Sequence, residues 1–522
     1  MLNQIAANLT AIDIAIIATY MVGVLVIGSL FARYVHSAGD FFLAGKALPF
    51  WAVGMSIVVS DIGATDMMAG AGATYKYGLA QANFDWIGSM PAMIIAAFVF
   101  IPYYWRAGVF TIPEFLGRRY NTAVQTLQAL IWLGFMFSML AIMLWMSATF
   151  LSDVFGMNKI TAVWITVAIV GVYTVSGGLA AVVMTDVMQM IVMFVGAGSL
   201  LALSLWETGG WSGMREAILA QGAETQNHFT LLLPHDTTTP YPWTGIVFSL
   251  GIIMSTAYFV GNQAVVQRAL GARSEWDAKA GMIFAGFLKL FIPVLIFLPG
   301  LAARAMYPDL ADADAAMPRM VVNLLPPGLA GLMVAAFFAA LMSSVDSFLN
   351  SCTTIFTSDI YAKLYEAGSG SPLSTRHALI LGRLLTVVLI VATGLVAPVI
   401  ERFETIYTAI QTILSLFQGP TFAILLLGIL WPRATRWGAL AGLVLGVLMT
   451  GTLNLIGDQI FPSEDPFLFV SFWSFLFAMA VTIVVSLLTP REPPEKLRGL
   501  VFGQVLHDAD AQELLKRGIN ES

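Results

Sequence analysis

The chain has 522 residues, of which 58% are hydrophobic and 11% charged, with 25 basic against 31 acidic side chains and a formal net charge of −6. A soluble globular domain carries about 25% charged residues, so this composition excludes a water-soluble fold, and the acidic balance excludes nucleic acid as a partner. The single cysteine, Cys352, excludes an intramolecular disulfide.

A membrane-spanning helix takes about 20 apolar residues. Thirteen such segments are predicted, at 11–32, 49–75, 82–105, 122–152, 160–177, 179–206, 243–262, 280–302, 328–360, 377–399, 405–430, 437–456 and 467–489. The first has no basic region before it and no small-residue cleavage site after it, so it reads as a retained helix and not as a signal peptide. An odd number of crossings puts the termini on opposite sides. With the N-terminus outside, 17 of the 25 basic residues fall on inner loops and the tail, and six fall outside. The positive-inside rule therefore predicts an N-out, C-in protein. The longest loops, 207–242 and 303–327, lie outside on this scheme, and the charged tail from Pro490 to Ser522 is cytoplasmic. The glycine-rich piece GVYTVSGG lacks the strand-then-helix context of a phosphate loop.

Segment 2 contains Ser60–Gly70, SDIGATDMMAG. Its glycines and alanines weaken the helix, and a helix in hydrocarbon breaks only where the freed backbone is enclosed by protein or lines a cavity. Small residues also permit close packing of helices. The carboxylates Asp61 and Asp66 favour a functional break, because acids inside a membrane are rare and usually functional. Segment 3 opens on Asp85-Trp86, a pairing that also suits a membrane interface. In segment 6, Asp186 lies too deep for an interface residue. Lys289 of segment 8 is within snorkelling reach of the inner surface. In segment 9, Ser343, Asp346, Ser347 and Asn350 share one helical face, with Ser344 beside it. Hydroxyls and a carboxylate on one stripe suit a small hard cation. Segment 11 carries Gln411 and a kink at Gly419-Pro420, and segment 12 carries a packing face of Gly438, Gly442 and Gly446.

Four stretches, YTVSGGLAAVVMTDVMQ, GNQAVVQRALGA, AALMSSVDSFLNSCTTIFTSDIYAK and GILWPRATRWGALAGLVLG, resemble the solute:sodium symporter family, and within it the sodium–glucose branch, over roughly residues 10–490. The resemblance implies an all-α polytopic protein of the LeuT type, with two inverted five-helix repeats and sodium as the coupling ion. A single transporter domain would cover 1–489: a leading helix at 11–32, repeats at 49–206 and 243–430, two further helices at 437–489, then a tail at 490–522. The first helix of each repeat, segments 2 and 7, would be discontinuous.

Carried over residue by residue, the main sodium site would use the carbonyls of Val59, Ile62 and Ala340 and the hydroxyls of Ser343 and Ser344. Some members hold a second sodium, for which the matching positions are Asp186, Ser343, Asp346 and Ser347; Asp346 stands where a hydroxyl residue is common, which would strengthen a second cation site or admit a proton instead, and two sodium ions per cycle are expected. The matching solute positions are Asp61, Asp66, Asp85, Tyr258, Phe259, Lys289 and Gln411. The sugar branch usually has an amide at Asp61, His or Gln at Asp66, Glu at Asp85 and often Trp at Phe259, while Tyr258, Lys289 and Gln411 are kept. The expected function is sodium-coupled import of a small polar solute, a sugar or polyol, by alternating access in the plasma membrane (the inner membrane of a bacterium), with no catalytic chemistry. The rivals are an amino-acid or carboxylate importer of the same family, suggested by Asp61 following Ser60, and a membrane sensor that does not transport.

Overall fold

The computed structural model describes residues 10–32, 37–402 and 406–503. The structure is helical, with no strand among the described residues. The helices that matter below are α1 (Ala11–Ala32), α2 (Phe50–Asp61), α3 (Asp66–Ala82), α4 (Phe84–Ala107), α5 (Thr122–Phe155), α6 (Lys159–Glu207), α7 (Gly245–Gly261), α8 (Gln263–Leu270), α9 (Glu275–Met306), α10 (Leu329–Ser369), α11 (Thr375–Glu401), α12 (Ile406–Leu430), α13 (Arg436–Ile460) and α14 (Phe467–Leu488). Among the described residues, ten helices are long and apolar enough to cross a membrane, and twelve if each of two bent pairs is one span. The expected fifth segment falls on the short apolar stretch Lys159–Gly171, joined to the next one in the 49-residue α6. The join is the non-helical Gly178. Its φ of +56° belongs to the left-handed region, and a Cβ there would lie 3.0 Å from the backbone of Phe41, so the chain needs glycine at this bend. The expected start of segment 11 at residue 405 and the tail beyond 503 lie outside the described residues.

The two bent pairs are α2–α3, which turn through 67°, and α7–α8, which turn through 59°. They coincide with segments 2 and 7, so the discontinuity read from small residues and acids in SDIGATDMMAG is present, as is the one at Gly261-Asn262. Both pairs contain a stretch of π-helix, at Asp66–Gly70 and Gly245–Met254. At the second break the Asn262 side chain accepts the amide of Ala264 at 3.0 Å, restarting the chain as α8.

α10 runs through the centre: nearly every residue from Ala330 to Ile355 is buried. α6, α1, α5 and α2 pack around it. Asp13 of α1 is enclosed there, accepting the amides of Gly328 and Gly331 at 2.7 Å each and so capping the start of α10. The opposite face of α1 turns Ile12, Ile14, Val22 and Val26 outward, as lipid contact requires. Gly438, Gly442 and Gly446 lie against Thr482, Ser486, Ala478 and Pro420, where added Cβ atoms would clash. They bring α13 onto α14 and the Pro420 kink of α12, the close backbone approach on which helix association in lipid relies. After α14 the chain docks back: Glu492 accepts the Arg436 amide at 3.0 Å, and the Phe502 amide donates to the Ile429 carbonyl at 2.7 Å.

Candidate solute cavity and ion site

The break between α2 and α3 is set by side chains. The amide of Ile62 still donates to the Val58 carbonyl at 2.9 Å. Ile62 then leaves the helix (φ −89°, ψ 84°), and the Gly63 amide donates to the Asp66 carboxylate at 3.2 Å. The helical bond from Gly63 back to the Val59 carbonyl is therefore not made. A carbonyl without its intrahelical donor, enclosed by protein, is a ready ligand for a hard cation.

α10 supplies the facing side. The Ser344 hydroxyl donates to the Ser60 carbonyl at 2.9 Å, and the Ser343 and Ser60 hydroxyls are 2.9 Å apart. Gly63 makes this approach feasible, because a Cβ there would stand 2.8 Å from Ser344 Oγ. Val59, Ile62, Ala340, Ser343 and Ser344 are all buried. The residues expected at the main sodium site thus come from two helices that meet at the break.

The positions expected around a second ion form a different arrangement. Asp186 accepts the hydroxyls of Ser343 at 2.6 Å and Ser56 at 2.5 Å. Ser347 donates to Ser60 Oγ at 2.9 Å. Among these oxygens lies the guanidinium of Arg268, which donates to Ser56 at 2.5 Å, to Ser60 at 2.6 Å, to Asp186 at 3.2 Å, and to Ser347. Both members of the Arg268–Asp186 pair are withdrawn from solvent. Asp346, one turn along α10, receives the Thr174 hydroxyl. Sequence reasoning counted Arg268 as an inner-loop charge, yet it lies within α8, all of whose residues are buried. The available signal was an arginine flanked by Ala264-Val265-Val266 and Ala269-Leu270, where a loop charge has no reason to sit.

All seven residues expected at the solute site line one cavity of about 140 Å³. They arrive on six helices: Asp61 on α2, Asp66 on α3, Asp85 on α4, Tyr258 and Phe259 on α7, Lys289 on α9 and Gln411 on α12. Lys289 does not snorkel. Its side chain is 4% exposed and forms ion pairs with Asp61 and, at 2.8 Å, with Asp85. The ammonium also lies 5.6 Å from the centre of the Phe259 ring. Asp85 is correspondingly no interface residue, and the indole of its neighbour Trp86 donates to the Leu290 carbonyl at 3.0 Å. The Tyr258 and Phe259 rings meet edge to face at 5.4 Å. Sequence reasoning missed Gln418, Thr65, Phe135 and Phe348, which also line the cavity. Gln418, seven residues after Gln411, shares its helical face and was therefore findable. Ile62 lines the cavity as well, so the solute wall and the break with its loose carbonyls are one continuous structure.

Residues 41–446 match the model of a family described as the sodium:solute symporter family. The chain is 31% identical to a sodium/glucose cotransporter of Vibrio parahaemolyticus over 94% of its own length and 92% of the relative's. It is 33% identical to sodium/myo-inositol cotransporter 2 of Oryctolagus cuniculus, over 93% and 77% of the two chains. A substrate-bound, outward-open structure of a Na⁺-coupled sialic acid symporter superposes with a TM-score of 0.81 at 23% identity, covering 92% of this chain and 98% of the other.

Proposed function

Because the chain belongs to the sodium:solute symporter family, we propose that it imports a sugar or polyol together with sodium by alternating access. The observation that carries this reading is the single cavity that gathers Asp61, Asp66, Asp85, Tyr258, Phe259, Lys289 and Gln411 beside the α2–α3 break. Tyr258 and Phe259 give the solute an aromatic wall, and Gln411 offers an amide to hydroxyls. Relatives described as sodium/glucose and sodium/myo-inositol cotransporters support the same class of solute. Repeats at 49–206 and 243–430, each opening on a bent helix, and an N-out, C-in orientation belong to this proposal.

The sodium ion binds between the carbonyls of Val59, Ile62 and Ala340 and the hydroxyls of Ser343 and Ser344. Ligands from both α2 and α10 make the ion's affinity depend on how these helices stand to each other, and coupling requires such a difference between states. The membrane potential contributes about 2.3 kcal/mol per charge per 100 mV to inward movement of the ion. Arg268 already neutralises Asp186, so one sodium per cycle accounts for the arrangement. No bond is made or broken in the solute, and the protein is a transporter and not an enzyme.

The deciding experiment is uptake into proteoliposomes under an inward sodium gradient, comparing labelled sugars and polyols with labelled proline. Sodium-driven uptake of a sugar or polyol is expected. Uptake of proline alone, or of none of these, refutes the reading.

A further inference from the structure

The solute cavity carries more carboxyl groups than the protein itself pairs with cations. Lys289 is the cationic side chain on its wall, and it is already engaged by Asp61 and Asp85. Asp66 stands on the same wall. It accepts the Gly63 amide at 3.2 Å, and no lysine, arginine or histidine among the described residues lies within ion-pair distance of it. An ionised carboxylate in an enclosed site is strongly disfavoured without a counter-charge. The nearby guanidinium of Arg268 is matched by Asp186, so it leaves the account unchanged.

A second observation points the same way. Gln418 is 2% exposed and lines the cavity, and its side-chain oxygen has no donor. A buried acceptor without a donor is costly unless a ligand supplies one. The cavity thus offers acceptors, three carboxylates and the Gln418 oxygen, against one engaged ammonium. The wall also carries Phe84, Phe135, Tyr258, Phe259, Phe297 and Phe348; an aromatic face attracts a cation, as the Phe259 ring does the Lys289 ammonium. With one sodium bound at the break and all three carboxyls ionised, three negative charges face two cations, and a cationic solute is what brings that state to neutrality.

We propose that the transported solute is a hydroxylated compound bearing a basic amine, an amino sugar or aminopolyol, whose ammonium group pairs with Asp66. This rests on the sugar or polyol reading above and narrows it. The Asp66 carboxylate receives the ammonium, Gln418 accepts a further donor from the solute, and the surplus of negative charge rejects uronic acids and other anions.

The test uses the full chain in proteoliposomes with an inward sodium gradient at pH 7. Labelled glucosamine, glucose, N-acetylglucosamine and glucuronate are compared, together with an aminodeoxyinositol and myo-inositol. An ion pair inside a cavity is worth about tenfold or more in kcat/KM, so the amine is expected to exceed its neutral parent by at least that factor in one of the two pairs. Acetylating the amine removes the advantage, and glucuronate is not taken up. In Asp66→Asn the ratio of amine to neutral parent falls to near one. Equal or better uptake of the neutral parents by the unaltered protein overturns the proposal while leaving the sugar or polyol reading intact. A ratio preserved in Asp66→Asn also overturns it. Uptake of none of the six solutes overturns both. The comparison of amine with N-acetyl compound needs no variant, so the proposal stays testable even where Asp66→Asn fails to fold.

Discussion

Ser344→Ala tests the ion site most directly. Ser344 is fully enclosed and its hydroxyl spans from α10 to the Ser60 carbonyl at 2.9 Å. Alanine takes away one oxygen of the proposed five-oxygen sodium shell and leaves the enclosed Ser60 carbonyl without this donor. Loss of a buried hydrogen-bonding group costs about 1–3 kcal/mol, and each 1.4 kcal/mol is a factor of ten. The sodium concentration for half-maximal uptake should therefore rise about 5- to 150-fold. The assay is solute uptake into proteoliposomes as a function of external sodium, at saturating solute and fixed membrane potential. At high sodium the maximal rate should approach that of the unaltered protein, which separates an ion-site defect from misfolding. A sodium activation curve that does not move refutes the assignment of Ser344, and with it the idea that α10 and the α2–α3 break hold the coupling ion between them.

Lys289→Met removes the counter-charge of two buried carboxylates; breaking a buried ion pair from one side costs about 3–5 kcal/mol, so a lowered melting temperature and abolished uptake are expected, and Asp61→Asn added to it should restore part of the stability. Unchanged melting of Lys289→Met would show that the pair is not made. A reversal-potential measurement in proteoliposomes should give one sodium per solute, since Arg268 already serves as the cation beside Asp186; a stoichiometry of two means that Arg268 leaves Asp186 during the cycle. Asp314, in the loop before α10, has its carboxyl pushed up to about 6 by burial and by the neighbouring Asp312. Because the folded protein holds this proton more tightly than the unfolded chain, stability from this group is present at low pH and is lost as pH rises through about 6. Thermal unfolding should shift to lower temperature between pH 5 and pH 7.5, and Asp314→Asn should flatten that dependence; an identical slope in the variant refutes the assignment.

The amino-acid sequence by itself determined the order of membrane segments, the weakness of the chain at SDIGATDMMAG and the stripe of Ser343, Ser347 and their neighbours. These are local properties. Helix periodicity fixes which residues share a face, and runs of small residues with embedded acids fix where a helix in hydrocarbon gives way. The kept Tyr258, Lys289 and Gln411 made the solute positions legible through family resemblance. Only the tertiary structure decided which face meets which. Lys289 pairs with Asp61 across 228 residues, and no local rule distinguishes that outcome from a lysine reaching for the membrane surface. The apolar neighbours of Arg268 signalled that it is no loop charge, but only the fold shows that α8, restarted by Asn262, turns back into the protein toward Asp186. Asp346 shares the serine stripe in projection, yet it receives the hydroxyl of Thr174. A helix wheel orders residues about one axis, whereas a charge in hydrocarbon is governed by the partner that another axis brings to it.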